Sequence, residues 1–388
     1  MPTPLSANKK SLLSKIEAIY GTDPIPTVGS NAVMVKNLEL TPMEMELVSR
    51  DNIKAHFGND EDTAAVIYAK LAFEVELTGS GTAGTAPPIS HLLRSASMSE
   101  TVLATAHTAT AAAGAVASIT LGAAASAVND AYVGLTINTT GGTGSGQSGV
   151  IKSYNGATKV ATVTANWTVV PDATTVYAIP AQVVYRRITD APESITHYTF
   201  FGKVLHKMTG ARGTVSFLFP YKKVPTAKFS YTGVYVPVVD ADAPSTSFSA
   251  RAKPLAVNSN NTKGIKLMGY NGVVLSDLSI DLANEVVFRS LPGAPDGVVV
   301  VDSKPAGSIT QQATMIADKD WWSAIQTIAV GAFSITHGLA LGNTVKLDAP
   351  RTQMTKPSYS EMDGVQMLQS SLKFLPDLGN DELTLCFL

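Results

Sequence analysis

Ser194-Ile195-Thr196-His197 recurs as Ser334-Ile335-Thr336-His337, and this recurrence decides how the rest of the chain is read. The offset is 334 − 194 = 140 residues. Gly202 and Gly342 follow at the same offset, and Val204 and Val345 follow one residue out of step. Tyr235-Val236-Pro237 is answered by Phe374-Leu375-Pro376 at an offset of 139. Upstream, Leu38-Glu39-Leu40 is answered by Leu278-Ser279-Ile280 at 240, and Arg50 by Arg289 at 239. The same order of segments therefore occurs twice, as in a tandem duplication. The jump in offset places an insertion of roughly 100 residues in the first copy, ahead of its SITH segment.

Composition locates most of that insertion. From about His107 to Pro180 the chain is poor in charge and rich in Ala, Thr and Gly. Ala131–Asn138, Gly149–Tyr154, Lys159–Thr164 and Thr175–Ile179 read as strands joined by turns such as Asn155-Gly156. The expected organisation is an arm over 1–30, a first domain over 31–106 and 181–240, an inserted β domain over 107–180, a linker over 241–261, and a second domain over 262–388.

Strand alternation dominates outside the insertion as well. Lys70–Leu77, Thr214–Phe219, Lys228–Val236 and Leu278–Leu282 each place apolar side chains on one face and polar ones on the other. Three short helices are expected. Lys10–Tyr20 carries Leu12, Leu13, Ile16 and Ile19 as an apolar stripe. Ser90–Met98 forms a second, and Asp318–Ile328 a third, with an Asp cap and with Trp321, Trp322 and Ile325 for packing. The fold class is mainly β: two tandem sandwich domains able to join a barrel, each with one short flanking helix, plus the small inserted all-β domain.

Charged residues make up only 15% of the 388, against about 25% in an ordinary soluble domain. Such a surface suits coverage by copies of itself, because interface cores are depleted of charge. A net charge of −2 supplies no basic field for gripping nucleic acid. No apolar run reaches the ~18 residues of a membrane helix, and Ala111–Ala127 is broken by Gly114, Ser118 and Gly122. The first residues, MPTPLSANKKSLLSKIEAIYG, lack the apolar core of a signal peptide, so synthesis in a cytoplasm is expected. Cys386, the sole cysteine, cannot staple its own chain.

Catalytic and ligand motifs are weak. Gly144-x-Gly146-x-x-Gly149 matches the dinucleotide fingerprint, but a strand and not a helix is expected after it, so no helix N-terminus would meet a pyrophosphate. The histidines, His56, His91, His107, His197, His206 and His337, show no metal-ligand spacing. His197 and His337 hold equivalent repeat positions, which points to a shared structural job. No catalytic residue, cofactor or metal is expected.

Several separated segments resemble the tail tube proteins of long-tailed bacteriophages. They are Ala18–Thr27, Ala32–Pro42, Phe73–Pro87, His206–Val215, Asp363–Leu368 and Gly379–Leu385. The resemblance covers about 300 residues and omits only the insertion, which itself looks like a decorating domain found in phage proteins. It implies a structural subunit and not an enzyme. Tail tube domains are β-sandwiches whose inner sheets join around a ring of six domains. Stacked rings form the channel for DNA. A chain with two such domains would close a ring of three subunits with pseudo-sixfold symmetry. Its implied partners are copies of itself, a tape-measure protein, a tail terminator, baseplate or tip proteins, and DNA in non-specific passage, with no membrane. Its place would be the tail of the virion.

The stacking loops implied by the family fall near Ser49–Thr63 and Arg289–Val300. Arg50, Asp51, Lys54, Asp60, Glu61, Asp62 and Arg289 are the candidates for contacts between rings. Glu44 and Glu46, alternate residues of one strand, are candidates for the lumen. The arm and its Lys10–Tyr20 helix would either brace a neighbour or lie as a surface helix. The competing reading is an all-β virion protein that binds a host surface or carbohydrate through the insertion, with Tyr154 and Trp167 as contacts.

Overall fold

In a computed structural model both SITH segments are strands, and each histidine is held in the same way. Ser14 Oγ lies 2.8 Å from His197 Nδ1 on the neighbouring strand, and Thr262 Oγ1 lies 2.9 Å from His337 Nδ1. The structure describes residues 6, 8–248 and 250–388.

The first copy contains β1 (Lys10–Ile16), β2 (Ala32–Val33), β3 (Lys36–Val48), β4 (Thr63–Glu76), α1 (Ser90–Ser95) and β5 (Met98–Leu103). The insertion follows as β6 (His107–Thr110), β7 (Ala113–Ala115), β8 (Ser118–Thr120), β9 (Thr136–Gly141), β10 (Ser148–Asn155), β11 (Val160–Val163) and β12 (Val176–Ile179). The first copy resumes as β13 (Gln182–Arg187), β14 (Ile195–Phe201), β15 (Val204–Pro220), β16 (Thr226–Tyr235) and β17 (Val239–Asp240). The second copy contains β18 (Thr262–Leu267), β19 (Leu275–Asp281), β20 (Asn284–Arg289), β21 (Gly297–Ser303), β22 (Ala306–Gln312), α2 (Trp321–Gln326), β23 (Val330–His337), β24 (Val345–Met362), β25 (Val365–Leu375) and β26 (Thr384–Phe387).

One pairing order occurs twice. In the first copy it runs β1–β14–β15–β16–β4–β3, every step antiparallel. In the second it runs β18–β23–β24–β25–β22–β19, again antiparallel throughout. The ladders also correct one pairing expected from sequence. His197 faces Met208, whereas His337 faces Val345, so Val345 stands in the place of Met208 and not of Val204. The first copy extends β14 to Phe201 and turns at Gly202, where the second has a longer loop.

The two long strands β15 and β24 each serve two sheets. The first half of β15 pairs with β14, and its second half pairs with β16 and β19. β24 begins between β23 and β26 and ends against β25. The result is a sandwich with an inner sheet built from β3, β4, β16, β15, β19, β22, β25 and β24. One continuous core lies between the layers, with Phe73, Phe217, Phe229 and Tyr231 from the inner sheet and Ile195, Tyr185, Ile335 and Leu385 from the outer strands.

The Lys10–Tyr20 helix expected from sequence is a strand. Leu12 joins the main core, while its neighbour Leu13 joins a separate cluster with Tyr198, Phe200 and Leu205. Adjacent residues buried on opposite faces require the two-residue period of a strand. Pairing with β14 along all seven residues outweighs the helical spacing, and Ile19 is left exposed. The other two helices occur but are shorter. α1 ends before Ser97, a left-handed residue (φ 64°), and β5 starts at Met98. α2 is capped by Asp320, whose side chain accepts the Ser323 N–H. Trp321 is buried, and Trp322 instead packs against Tyr359.

The strands between His107 and Ile179 form a seven-stranded network of their own. Their core contains Ile119, Leu135, Ile137, Tyr154, Trp167 and Tyr177, and it is completed by Val184 and Cys386 of the main body. The insertion grows from the end of a hairpin: Leu103 of β5 pairs directly with Gln182 of β13. Strand β10 follows the glycine-rich stretch, and Gly142, Gly144 and Gly146 all have positive φ, as a turn requires.

Candidate assembly interface

The two copies meet by direct strand pairing. Ser216, Phe217, Leu218, Phe219 and Pro220 of β15 face Asp281, Ile280, Ser279, Leu278 and Asp277 of β19. Tyr221 N–H extends the ladder to Ser276 O at 2.9 Å. This junction makes the inner sheet continuous across the repeat and buries Phe217, Phe219, Leu278 and Ile280.

The inner sheet ends in two edges, and both are the counterparts of that junction. β3 stands in the first copy where β19 stands in the second. The second half of β24 stands where the second half of β15 stands. Following the ladders from Leu40/Ile280 through β4/β22 and β16/β25 sets Leu218 against Ser360 and Phe217 against Tyr359. Phe217 is fully buried at the internal junction, whereas Tyr359 is 56% exposed at the edge. Ile280 is likewise buried, whereas Leu40 is only half-buried. Each free edge thus carries an apolar side chain that its counterpart covers.

The bend in the edge is repeated too. β3 is bulged between Thr41 and Glu44, around Pro42. At the same height the second copy breaks between β19, ending at Asp281, and β20, beginning at Asn284. Proline is tolerated there because a bulge on an edge strand needs no ladder donor at that position.

Beyond this bend the candidate stacking residues project in the connection over 49–62. Lys54 is ion-paired with Asp60, and Asn52 N–H donates to Asp60 Oδ2 at 2.8 Å. The Lys54 ammonium holds the Asp60 carboxyl below the usual carboxylate range. Ser49 Oγ donates to Asp51 Oδ1 at 2.8 Å. The structure therefore brings Asp51, Lys54 and Asp60 into contacts inside the loop, while Arg50, Glu61 and Asp62 are exposed and Arg289 stands apart at the end of β20. Sequence reasoning passed over the loop's apolar residues: Ile53 and Phe57 are fully exposed.

Glu44 and Glu46 lie opposite Tyr68 and Val66, on the sheet face turned away from the main core. Lys70 shares that face and pairs with Glu44 at 3.6 Å. Lys36, on the same face, pairs with Glu76 at 2.6 Å. Farther along are Lys228, Ser230, Asp277, Ser279, Ser308 and Ser371. Small hydroxyls and charges of both signs give this face no net basic field.

A buried cluster that sequence reasoning missed ties the N-terminal segment to both copies. Glu17 is buried and accepts four hydrogen bonds: from Ser194 Oγ at 2.6 Å, Gly21 N–H at 2.7 Å, Thr196 Oγ1 at 2.6 Å and Gly210 N–H at 2.7 Å. Tyr20 Oη accepts the Val298 N–H of the second copy at 2.5 Å, and the Arg212 guanidinium lies 4.9 Å from the Tyr20 ring. Burial raises the Tyr20 phenol, so it stays protonated. The only signal in the sequence was the Ala18–Thr27 segment of the family resemblance, which gave Glu17 no role.

Tyr154 and Trp167 lie inside the insertion's own core, 3% and 6% exposed, so neither is presented to a carbohydrate. Among the described residues no helix is long and apolar enough to cross a membrane. Comparison with known protein families finds no match, and comparison with curated proteins finds none.

Proposed function

We propose that the chain is a tail tube subunit of a tailed bacteriophage, in which three copies close a ring and stacked rings form a channel for DNA. The observation that carries this reading is the matched pair of edges. The chain already contains one β15–β19 junction and ends in the two strands that would make the same junction with another chain. Transferring the internal register gives Ser358, Tyr359 and Ser360 opposite Thr41, Leu40 and Glu39 of the next subunit.

An edge left open invites uncontrolled pairing, and closure into a barrel removes it. Each chain supplies eight inner strands. Three chains then make a barrel of about 24, wide enough to leave a channel by comparison with the 16–18 strands of porins. The face bearing Glu44, Glu46, Lys70 and Ser230 turns to the channel, where mixed charge limits phosphate adhesion. The insertion projects from the outside. The tape-measure protein occupies the channel during assembly, and the terminator and tip proteins cap the ends. The subunit binds no cofactor and performs no catalysis in this role.

Light scattering of purified protein tests the reading. Wild-type chains should give trimers or multiples of three. Tyr359→Asp, at an exposed site, should leave the melting temperature within about 2 °C of wild type and yield monomers, because a charge cannot be buried unpaired at a junction. Assembly unaffected by this change would count against β24 as a ring edge.

A further inference from the structure

The hairpin formed by β20 and β21 reaches over the junction and clasps the first copy. Asn284 N–H donates to Thr214 Oγ1 at 3.1 Å. Asn284 Nδ2 donates to Gly213 O at 3.0 Å and to Ala96 O, at the end of α1, at 2.8 Å. Arg212 Nη1 donates to Val298 O at 2.7 Å, and the Phe288 ring stacks on Tyr68 with centroids 5.1 Å apart. Asn284 is 7% exposed, and Val298 is fully buried.

The first copy has the same hairpin beyond the Pro42 bulge, built from the end of β3 and the start of β4. Met45 faces Ile67 as Asn284 faces Ser303, and both ladders slip register one residue further on, at Glu46/Leu47 and at Glu285/Val286. Met45 therefore holds the place of Asn284, and Leu47 that of Val286. Met45 is 47% exposed, and Leu47 is exposed with it. By alternation the two share the face opposite Glu44 and Glu46. The surface under the internal clasp is repeated as well. Thr214 faces Ser230 and Thr355 faces Ser371 in equivalent ladders, so Thr355 stands in the place of Thr214 and Gln353 in that of Arg212. α2 ends at Thr327 and left-handed Ile328 (φ 54°), as α1 ends at Ala96 and left-handed Ser97 (φ 64°). Ser97 is buried, whereas Ile328 is exposed. Gln353 Nε2 donates to Ile328 O at 3.5 Å, and Val330 pairs with Gln353. Ile328, Val330, Trp322 and Tyr359 thus form an exposed apolar strip along the free edge of β24.

We propose that the Met45–Leu47 hairpin of one subunit clasps the α2–β24 edge of the next, as the Asn284 hairpin clasps the first copy within one chain. The proposal rests on the ring reading and adds a second contact to each interchain junction. The partner is another copy of this chain, the one whose β24 pairs with β3. The two clasps differ in chemistry. The internal one is polar, an amide held by two backbone carbonyls. The interchain one is apolar, with Met45 and Leu47 covering Ile328, Val330 and the Trp322–Tyr359 pair, and it draws its strength from the area removed from water. Thr355 Oγ1 accepts the Met45 N–H there, as Thr214 Oγ1 accepts that of Asn284.

Mixed cross-linking separates the clasp from the ring. One batch of chains carries Met45→Cys and a second carries Ile328→Cys; the two are mixed, assembled and treated with a short bis-maleimide. Native Cys386 is buried, with its thiol pushed up to about 12, and stays unreactive. The proposal expects covalent dimers holding one chain of each kind, and no product from either batch alone. Closed rings without the mixed product would overturn the clasp and leave the ring intact. Absence of rings in the wild-type protein would overturn the ring reading itself. Met45→Lys and Ile328→Glu, both at exposed sites, should leave the melting temperature of single chains unchanged. Each should raise the concentration needed for ring formation about tenfold, because a charge is buried there without a partner. A chain carrying both sets opposite charges across the junction and should recover most of that loss. Ring formation by the single variants at the wild-type concentration, or losses that simply add in the double variant, would also overturn the clasp.

Discussion

Glu17 shows how one side chain fixes the relation between separate segments. Its carboxylate gathers two hydroxyls and two backbone N–H groups from β14 and the residue before it, from β15 and from its own loop. Glu17→Ala strands these donors in a buried site, and a loss of about 3 kcal/mol is expected in urea unfolding. His197 is buried and His91 half-buried, and burial pushes their imidazoles down to about 3 and about 4. Both are neutral in the folded chain, whereas in the unfolded chain they take up protons below about 6.5. Their contribution is complete above pH ~6.5 and is lost as pH falls toward the folded values, at up to about 1.4 kcal/mol per pH unit for each. Unfolding free energies measured from pH 7 to pH 4.5 should fall with that slope, and His91→Asn should flatten it. The shared job of His197 and His337 was legible from the repeat. Glu17 was not, because three of its four partners lie 177 to 193 residues away in sequence.

Elements were legible where their period was unambiguous and unreadable where two periods fitted. Lys70–Leu77 and Thr214–Phe219 alternate cleanly and are strands. Lys10–Ile16 fits a helical stripe equally well, and only its place between β2 and β14 makes it a strand. The loop over 49–62 was read for its charges, and most of the interaction among Asp51, Lys54 and Asp60 turns out to be internal. Its exposed Ile53 and Phe57 are the better candidates for a partner surface. Exchanging both for Ser should leave chain stability and ring closure intact while shortening the stacks seen by electron microscopy. The insertion was legible from composition, and its root is a plain hairpin position between Leu103 and Gln182. Replacing 107–179 by a short turn should therefore spare assembly. It should also lower the melting temperature, because Val184 and Cys386 lose the core they complete.

At the scale of the molecule, the duplication explains more than either copy does alone. A single copy would present one edge like β3 and one like β24, and the proposed ring would need six of them to close. On the ring reading, joining two copies would build half of those junctions within one chain, which would lower the entropic cost of closing the ring. In the proposed ring it would also make the junctions unequal, giving an outer surface of threefold symmetry and an inner sheet that repeats nearly sixfold. The repeat was visible in the sequence, but its register was not. Sequence offsets set Val345 against Val204, and only the ladders set it against Met208. Electron microscopy of the purified protein, viewed along the particle axis, tests the central claim most directly. The account predicts hollow rings, alone or stacked, with a near-sixfold wall, three outer projections and the mass of three chains. Solid particles, or single chains that stay separate at concentrations where Tyr359→Asp and wild type behave alike, would contradict it.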